Sequence, residues 1–173
     1  MMGKITLALV TGLLGLAGLG AATGGPDDAE ITHIAYTAGK IDIAAGEQAL
    51  HESKSVSVRA FAQEMVRDHG AVNEQALALV DELGITPRDN PTSRALNKAA
   101  GDEIRKLSSL EGAAFDRAYV SNEVAFHRIV NDALRQTLIP GAQNSKLRAL
   151  LETGLSLFTQ HQIHAESLAA RLD

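Results

Sequence analysis

Apolar residues recur every three or four positions over long stretches of this chain, the interval at which an α-helix returns to the same face. From Ser55 to Leu83 the stripe reads Val58, Phe61, Ala62, Met65, Val66, Val72, Ala76, Val80 and Leu83, and His69 sits inside it. From Ala113 to Leu138, Val120, Val124, Val130, Leu134 and Leu138 share one side with Glu123 and His127. From Gln143 to Leu172, Leu150, Gly154, Leu157, Leu168 and Leu172 are in register with His161 and His164. The first helix, Asp28 to His51, differs in kind. Ala35, Ala38, Gly39, Ala45, Gly46 and Ala49 give it a face of small residues on which Asp42 is the one strong inward acid. Such a face admits a close neighbour, either another helix of the chain or a second copy in a homo-oligomer.

Punctuation divides these segments. Asp27 or Asp28 can cap the first helix, and Gly84 suits a left-handed stop to the second. The loop Thr86 to Pro91 leads into a shorter helix, Ser93 to Leu107, and Ser108 to Gly112 connects it to the third long helix. Pro140-Gly141 is read as the turn into the last helix. Prolines 26, 87, 91 and 140 all lie outside the long periodic segments, and no strand-like alternation or internal repeat competes. The expectation is an all-α fold: an antiparallel four-helix bundle over residues 27–173, with a short extra helix between the second and third long helices.

The residues before the first helix follow another pattern. Lys4 is followed by an apolar run, Ile5 to Leu19, then by the small residues Gly20-Ala21-Ala22 and the helix breakers Gly24, Gly25 and Pro26. This reads as a signal peptide over residues 1–22, with an uncleaved N-terminal anchor as the alternative. The run is shorter than the roughly 20 residues needed to span a bilayer, so no stable membrane insertion is expected after cleavage. The mature protein would be exported to the periplasm or secreted.

Composition narrows the chemistry. The chain has no cysteine, which excludes disulfides, thiolate ligands and cysteine catalysis. A net charge of -5 with no basic cluster argues against a nucleic-acid partner. No phosphate loop or nucleophile elbow is present. What remains is histidine on inward faces of three helices. Imidazole and carboxylate together suit Zn, Fe, Cu, Ni or Mn. His69, His127, His161, His164 and Asp42 are the candidate metal ligands, and Glu123 and Asp68 are candidates for the groups that orient them. Glu123 and His127 are one turn apart. Asp68 points about 100° away from His69, which suits a surface or inter-helix ion pair better than a ligand. Arg59, Glu64, Arg67 and Glu74 read as a solvated face, and His33 and His51 as solvated residues near the ends of the first helix.

Several stretches resemble a known family. Phe61-Ala62-Gln63-Glu64-Met65-Val66-Arg67-Asp68-His69, Leu107-Ser108, Gly112 to Val120, Val124 to His127, and His161 with Ala165 and Leu168 look like the exported bacterial proteins of domain of unknown function family 4142. The resemblance implies a ferritin-like four-helix bundle in the periplasm or beyond, with no assigned activity common to the family. By position, His69, His127 and His161 match recurring family histidines, and Asp42 stands where an acid is usual. Phe126 departs from the acid that many relatives carry there, and His164 is an addition.

Di-iron carboxylate bundles use Glu-x-x-His pairs, and that spacing is missing here. A mononuclear histidine-rich site fits the residues better. The leading expectation is therefore a non-enzymatic exported bundle that binds one transition metal ion, for metal handling or envelope stress protection. Two other readings stay open: a redox metal enzyme acting on oxygen or peroxide, and a structural or interaction protein whose histidines form buried hydrogen bonds.

Overall fold

Capping chemistry fixes where the helices begin. In this computed structural model, which describes residues 24–172, helix α1 (Asp28–Glu52) opens with a capping box. The Asp27 carboxylate accepts the Glu30 N–H at 3.0 Å, and Glu30 accepts the Asp27 N–H at 3.4 Å. Helix α2 (Val56–Leu83) starts on Ser55 and stops at Gly84, whose φ of 64° is the left-handed conformation that glycine adopts without cost. Helix α3 (Pro91–Leu107) is capped by Asn90, and Pro91 occupies its first turn, where a missing N–H costs nothing. Helix α4 (Gly112–Ala133) runs into a π-helical turn, Leu134–Leu138, and a last single turn, α5 (Ile139–Gly141). Helix α6 (Ser145–Leu172) is the last described element. Among the described residues every regular element is helical, and none of the helices is long and apolar enough to cross a membrane. The signal-peptide reading of residues 1–22 lies outside the described residues.

Pro140 does not end the third long helix in the way its residue type suggests. It falls in the first turn of α5, just beyond the π turn, and the chain leaves the helical conformation only at Ala142. Two N–H groups past that break, those of Gln143 and Asn144, donate to the Asp28 carboxylate at 2.8 and 2.9 Å. This ties the start of α1 to the start of α6.

Helix α1 packs most extensively on α2, and α4 on α6, while α2 also meets α6 and α1 meets α3 and α4. The small-residue face of α1 turns inward onto α2. A methyl group added to Gly39 would lie 2.4 Å from Asn73 Oδ1, and one added to Gly46 would lie 3.1 Å from the Ala62 carbonyl oxygen. Because backbone cannot yield as a side chain can, Gly46→Val is expected to lower stability by about 1–3 kcal/mol, read as a fall in the chemical-denaturation midpoint. An unchanged midpoint would mean that the two helices are not held this closely.

Two apolar clusters form the core. One gathers Ala45, Ala49, Phe61, Met65, Phe115, Tyr119, Val120 and Leu168; the other gathers Ile31, Ile34, Leu134, Leu138, Leu147, Leu151 and Phe158. Along α1 and α6 the chain passes from the second cluster to the first, and along α2 and α4 from the first to the second. At each crossing stands a polar residue: Asp42, His69, His127 and His161. A polar layer thus divides the core.

Candidate metal centre

Four helices deliver residues to that layer: Asp42 from α1, His69 from α2, His127 with Glu123 from α4, and His161 from α6. Gly39 lets α1 lie against α2 at Asn73, one turn beyond His69, and the same approach sets Asp42 opposite the histidine. Phe158, one turn before His161, stacks on the His69 ring at a centroid distance of 4.4 Å and an interplanar angle of 11°. The ring is therefore held between helices before any ligand is considered.

The resulting geometry is a small triangle. His69 Nε2 lies 3.4 Å from His127 Nε2 and 3.4 Å from Asp42 Oδ2, and His127 Nε2 lies 3.5 Å from Asp42 Oδ2. Nitrogen and oxygen ligands sit about 2.0–2.1 Å from a tetrahedral first-row metal, which places the ligand atoms about 3.3–3.4 Å apart. The three atoms have that spacing. His161 joins the two other histidines in a group whose ligand atoms all lie within 4.8 Å of one another, and Asp42, Glu123 and His127 form a second such group. The side chains of His69, Asp42, His127, Glu123 and His161 are each no more than 3 % exposed.

Neighbouring groups orient the imidazoles. His127 Nδ1–H donates to the Glu123 carbonyl oxygen at 3.0 Å, a tautomer that leaves Nε2 with its lone pair facing the triangle. The Glu123 carboxylate stands 3.6 Å from the same Nδ1. His161 Nε2 lies 3.0 Å from Asp68 Oδ2, so Asp68 does bridge α2 to α6 and acts behind a histidine.

Burial sets the charge states. It pushes Asp42 up to about 8 and Glu123 well above the usual carboxylate range, the Asp42 charge adding to the second shift. Burial also holds His69 well below 6.5 and brings His127 down to about 4, each helped by neighbouring histidines. His161 is lowered by burial, with Asp68 opposing. At neutral pH the imidazoles are therefore neutral, in the form that binds metal, while Asp42 carries a proton and Glu123 is shifted in the same direction.

The layer holds more polar atoms than it pairs. Both Asp42 oxygens, Glu123 Oε2, the Tyr119 hydroxyl, His69 Nδ1 and His161 Nδ1 are buried without a hydrogen-bond partner. Buried polar groups are nearly always paired, so this concentration is where the residues could hold a cation.

The remaining sequence candidates lie elsewhere. His164 is absent from the triangle: it is half-exposed, with Nδ1 2.8 Å from Glu64 Oε2 and its ring edge-on to Phe61. Three residues past His161 the helix has turned about 300°, enough to carry the side chain toward the outer flank of α2. His51 is exposed beside Glu52, in keeping with a solvated residue. Glu64 and Tyr119 were not singled out as site residues by pattern. Glu64 reads as one charge among several on a polar face, and its partner is remote in sequence. Tyr119 reads as packing, and only the fold sets its hydroxyl near Glu123 and Asp42, whose charges join burial in raising its pKa.

A cavity of about 80 Å³ reaches Asp42, His69 and His127 from one side, walled chiefly by carbon from Ala38, Phe126, Leu134 and Phe158. Thr32, Tyr36, Asn73 and Thr92 also take part in its lining.

No curated protein and no solved structure matches the chain. A family model does match, across residues 16–168, and its description is Domain of unknown function (DUF4142). The chain belongs to that family.

Proposed function

We propose that this protein is an exported bundle of the ferritin-like kind that binds one transition metal ion between its helices, in metal handling or envelope stress protection. The observation that carries the reading is the triangle of His69 Nε2, His127 Nε2 and Asp42 Oδ2, with edges of 3.4, 3.4 and 3.5 Å. Three ligands drawn from three helices, with His161 beside them, make a centre that the fold builds before the ion arrives. The order of the two apolar clusters along α1, α2, α4 and α6 supports the ferritin-like arrangement, in which contacting helices run in opposite senses. The apolar run before Gly20-Ala21-Ala22 supports export.

Charge balance supports a divalent ion. Once their protons are displaced, the Asp42 and Glu123 carboxylates beside two neutral imidazoles sum to two negative charges, which a single M²⁺ neutralises in a buried layer where a residual charge is costly. Zn, Fe, Cu, Ni and Mn all accept such nitrogen and oxygen donors.

A hydrogen-bond network without metal fits less well, since a finished network would not leave both Asp42 oxygens unpaired. The cavity at the triangle is the one observation that favours a metal enzyme acting on a small molecule such as oxygen.

Elemental analysis of the mature chain, purified without chelator or affinity histidines, tests the reading together with titration by Zn²⁺, Mn²⁺ and Cu²⁺. The expected result is close to one ion per chain and a rise in melting temperature on loading. Protein that takes up no ion and melts unchanged would overturn it.

A further inference from the structure

The buried triangle poses a problem of access. Its ligands are no more than 3 % exposed, and a hydrated cation loses solvation at great cost before it touches any of them. The cavity solves this poorly, because its walls are mostly carbon and offer an ion little in exchange for water. A second approach is lined differently.

We infer that Glu64, Asp68 and His161, with His164 beside them, form an outer cation site through which a divalent ion passes to the buried centre. The inference rests on the metal-centre reading and adds its route. Ligand atoms of Glu64, Asp68 and His161 lie within 4.8 Å of one another, the same spacing that unites His69, His127 and His161. The two groups share one residue. His161 has Nε2 on Asp68 at 3.0 Å, while its Nδ1 is buried and unpartnered, so a single ring belongs to both clusters.

Exposure falls along the series. The side chains of His164, Glu64, Asp68 and His161 are 40, 29, 17 and 1 % exposed. An ion entering here exchanges waters for carboxylate oxygens and imidazole one at a time, and it is never without ligands. Arg67, itself largely exposed, holds the other Asp68 oxygen at 2.7 Å and can swing into solvent when a cation replaces it. The outer site thus takes hydrated M²⁺ and binds it more weakly than the inner one, since its acids remain partly solvated.

Stopped-flow loading of the full mature chain with Co²⁺, followed by its visible absorption, tests this, with release measured by chelator challenge. The variant is Glu64→Gln/His164→Ala, which alters only the outer cluster. Loading and release are both expected to slow roughly tenfold, the scale on which focused charge changes an on-rate, with the equilibrium dissociation constant unchanged. A wild type and a variant that load at the same rate overturn the route while leaving the centre intact. A variant that loses affinity in place of speed also overturns it, because its residues would then be ligands of the final site. A wild type that never binds Co²⁺ overturns the centre and the route together.

Discussion

His127→Ala is expected to weaken metal binding by at least a hundredfold, about 2.7 kcal/mol, whereas His164→Ala leaves the affinity unaltered. Isothermal titration with Zn²⁺ reads both. The contrast follows from position: His127 Nε2 is one corner of the triangle, while His164 spends its Nδ1 on Glu64 at the surface. Removing His127 also takes its imidazole donor from the Glu123 carbonyl oxygen and leaves space in the layer, so the metal-free variant should melt lower as well. Melting measured without metal separates that structural cost from the lost ligand. Equal affinities for the two variants would show that the triangle is not where the ion binds.

The second large effect is the pH dependence. In the metal-free protein the Asp42 carboxyl holds its proton up to about 8, burial shifts Glu123 in the same direction, and the triangle's imidazoles are already neutral. A metal ion must displace carboxyl protons and no histidine protons. Loading at pH 7 is therefore expected to release at least the Asp42 proton, and affinity should climb about tenfold per pH unit, about 1.4 kcal/mol, for each proton displaced. Titration in two buffers of different ionisation heat counts these protons directly. A count near zero would remove Asp42 from the ligand set.

The same groups shape the stability of the metal-free chain. A carboxyl whose pKa is higher folded than unfolded binds its proton more tightly in the native state, so stability falls as pH rises from 3.8 toward about 8. The buried histidines act oppositely, since their folded pKa values lie below 6.5, and their contribution grows with pH only until 6.5 is reached. Between about 6.5 and 8 the carboxyls act alone. Asp42 by itself then costs about 2 kcal/mol across that interval. Metal-loaded protein, with the proton already gone, is expected to show none of this decline.

How much of this was legible in the chain depends on the scale. The span of α2 could be read almost to the residue, because Ser55 and Gly84 are local signals whose chemistry needs no partner. Inward placement of His69, His127 and His161 could be read too, since the helical period alone decides which face a residue takes. Convergence could not. It depends on α1 approaching α2 at Gly39 and on Phe158 fixing the His69 ring, and both are contacts between segments far apart in sequence. Pro140 misled for a related reason: it follows directly on the π turn, a change of hydrogen-bonding register that residue type alone does not announce. The role of Glu64 was hidden because its partner His164 lies 100 positions along the chain.

The π-helical turn at Leu134–Leu138 makes α4 and α5 one rod with two phases. A π turn holds one residue more than an α turn, and each residue advances an α-helix by about 100°, so the faces of the rod before and after it are offset. His127 is set by the first phase, and the connection to α6 by the second. Deleting one residue within Leu134–Leu138 would return the rod to a single phase without touching the metal ligands, and would rotate the whole α5–α6 junction instead. Length differences of one residue among relatives are accordingly expected to collect in this turn, where the rod can absorb them, and to be absent between Glu123 and His127, where a single step would carry the imidazole out of the core.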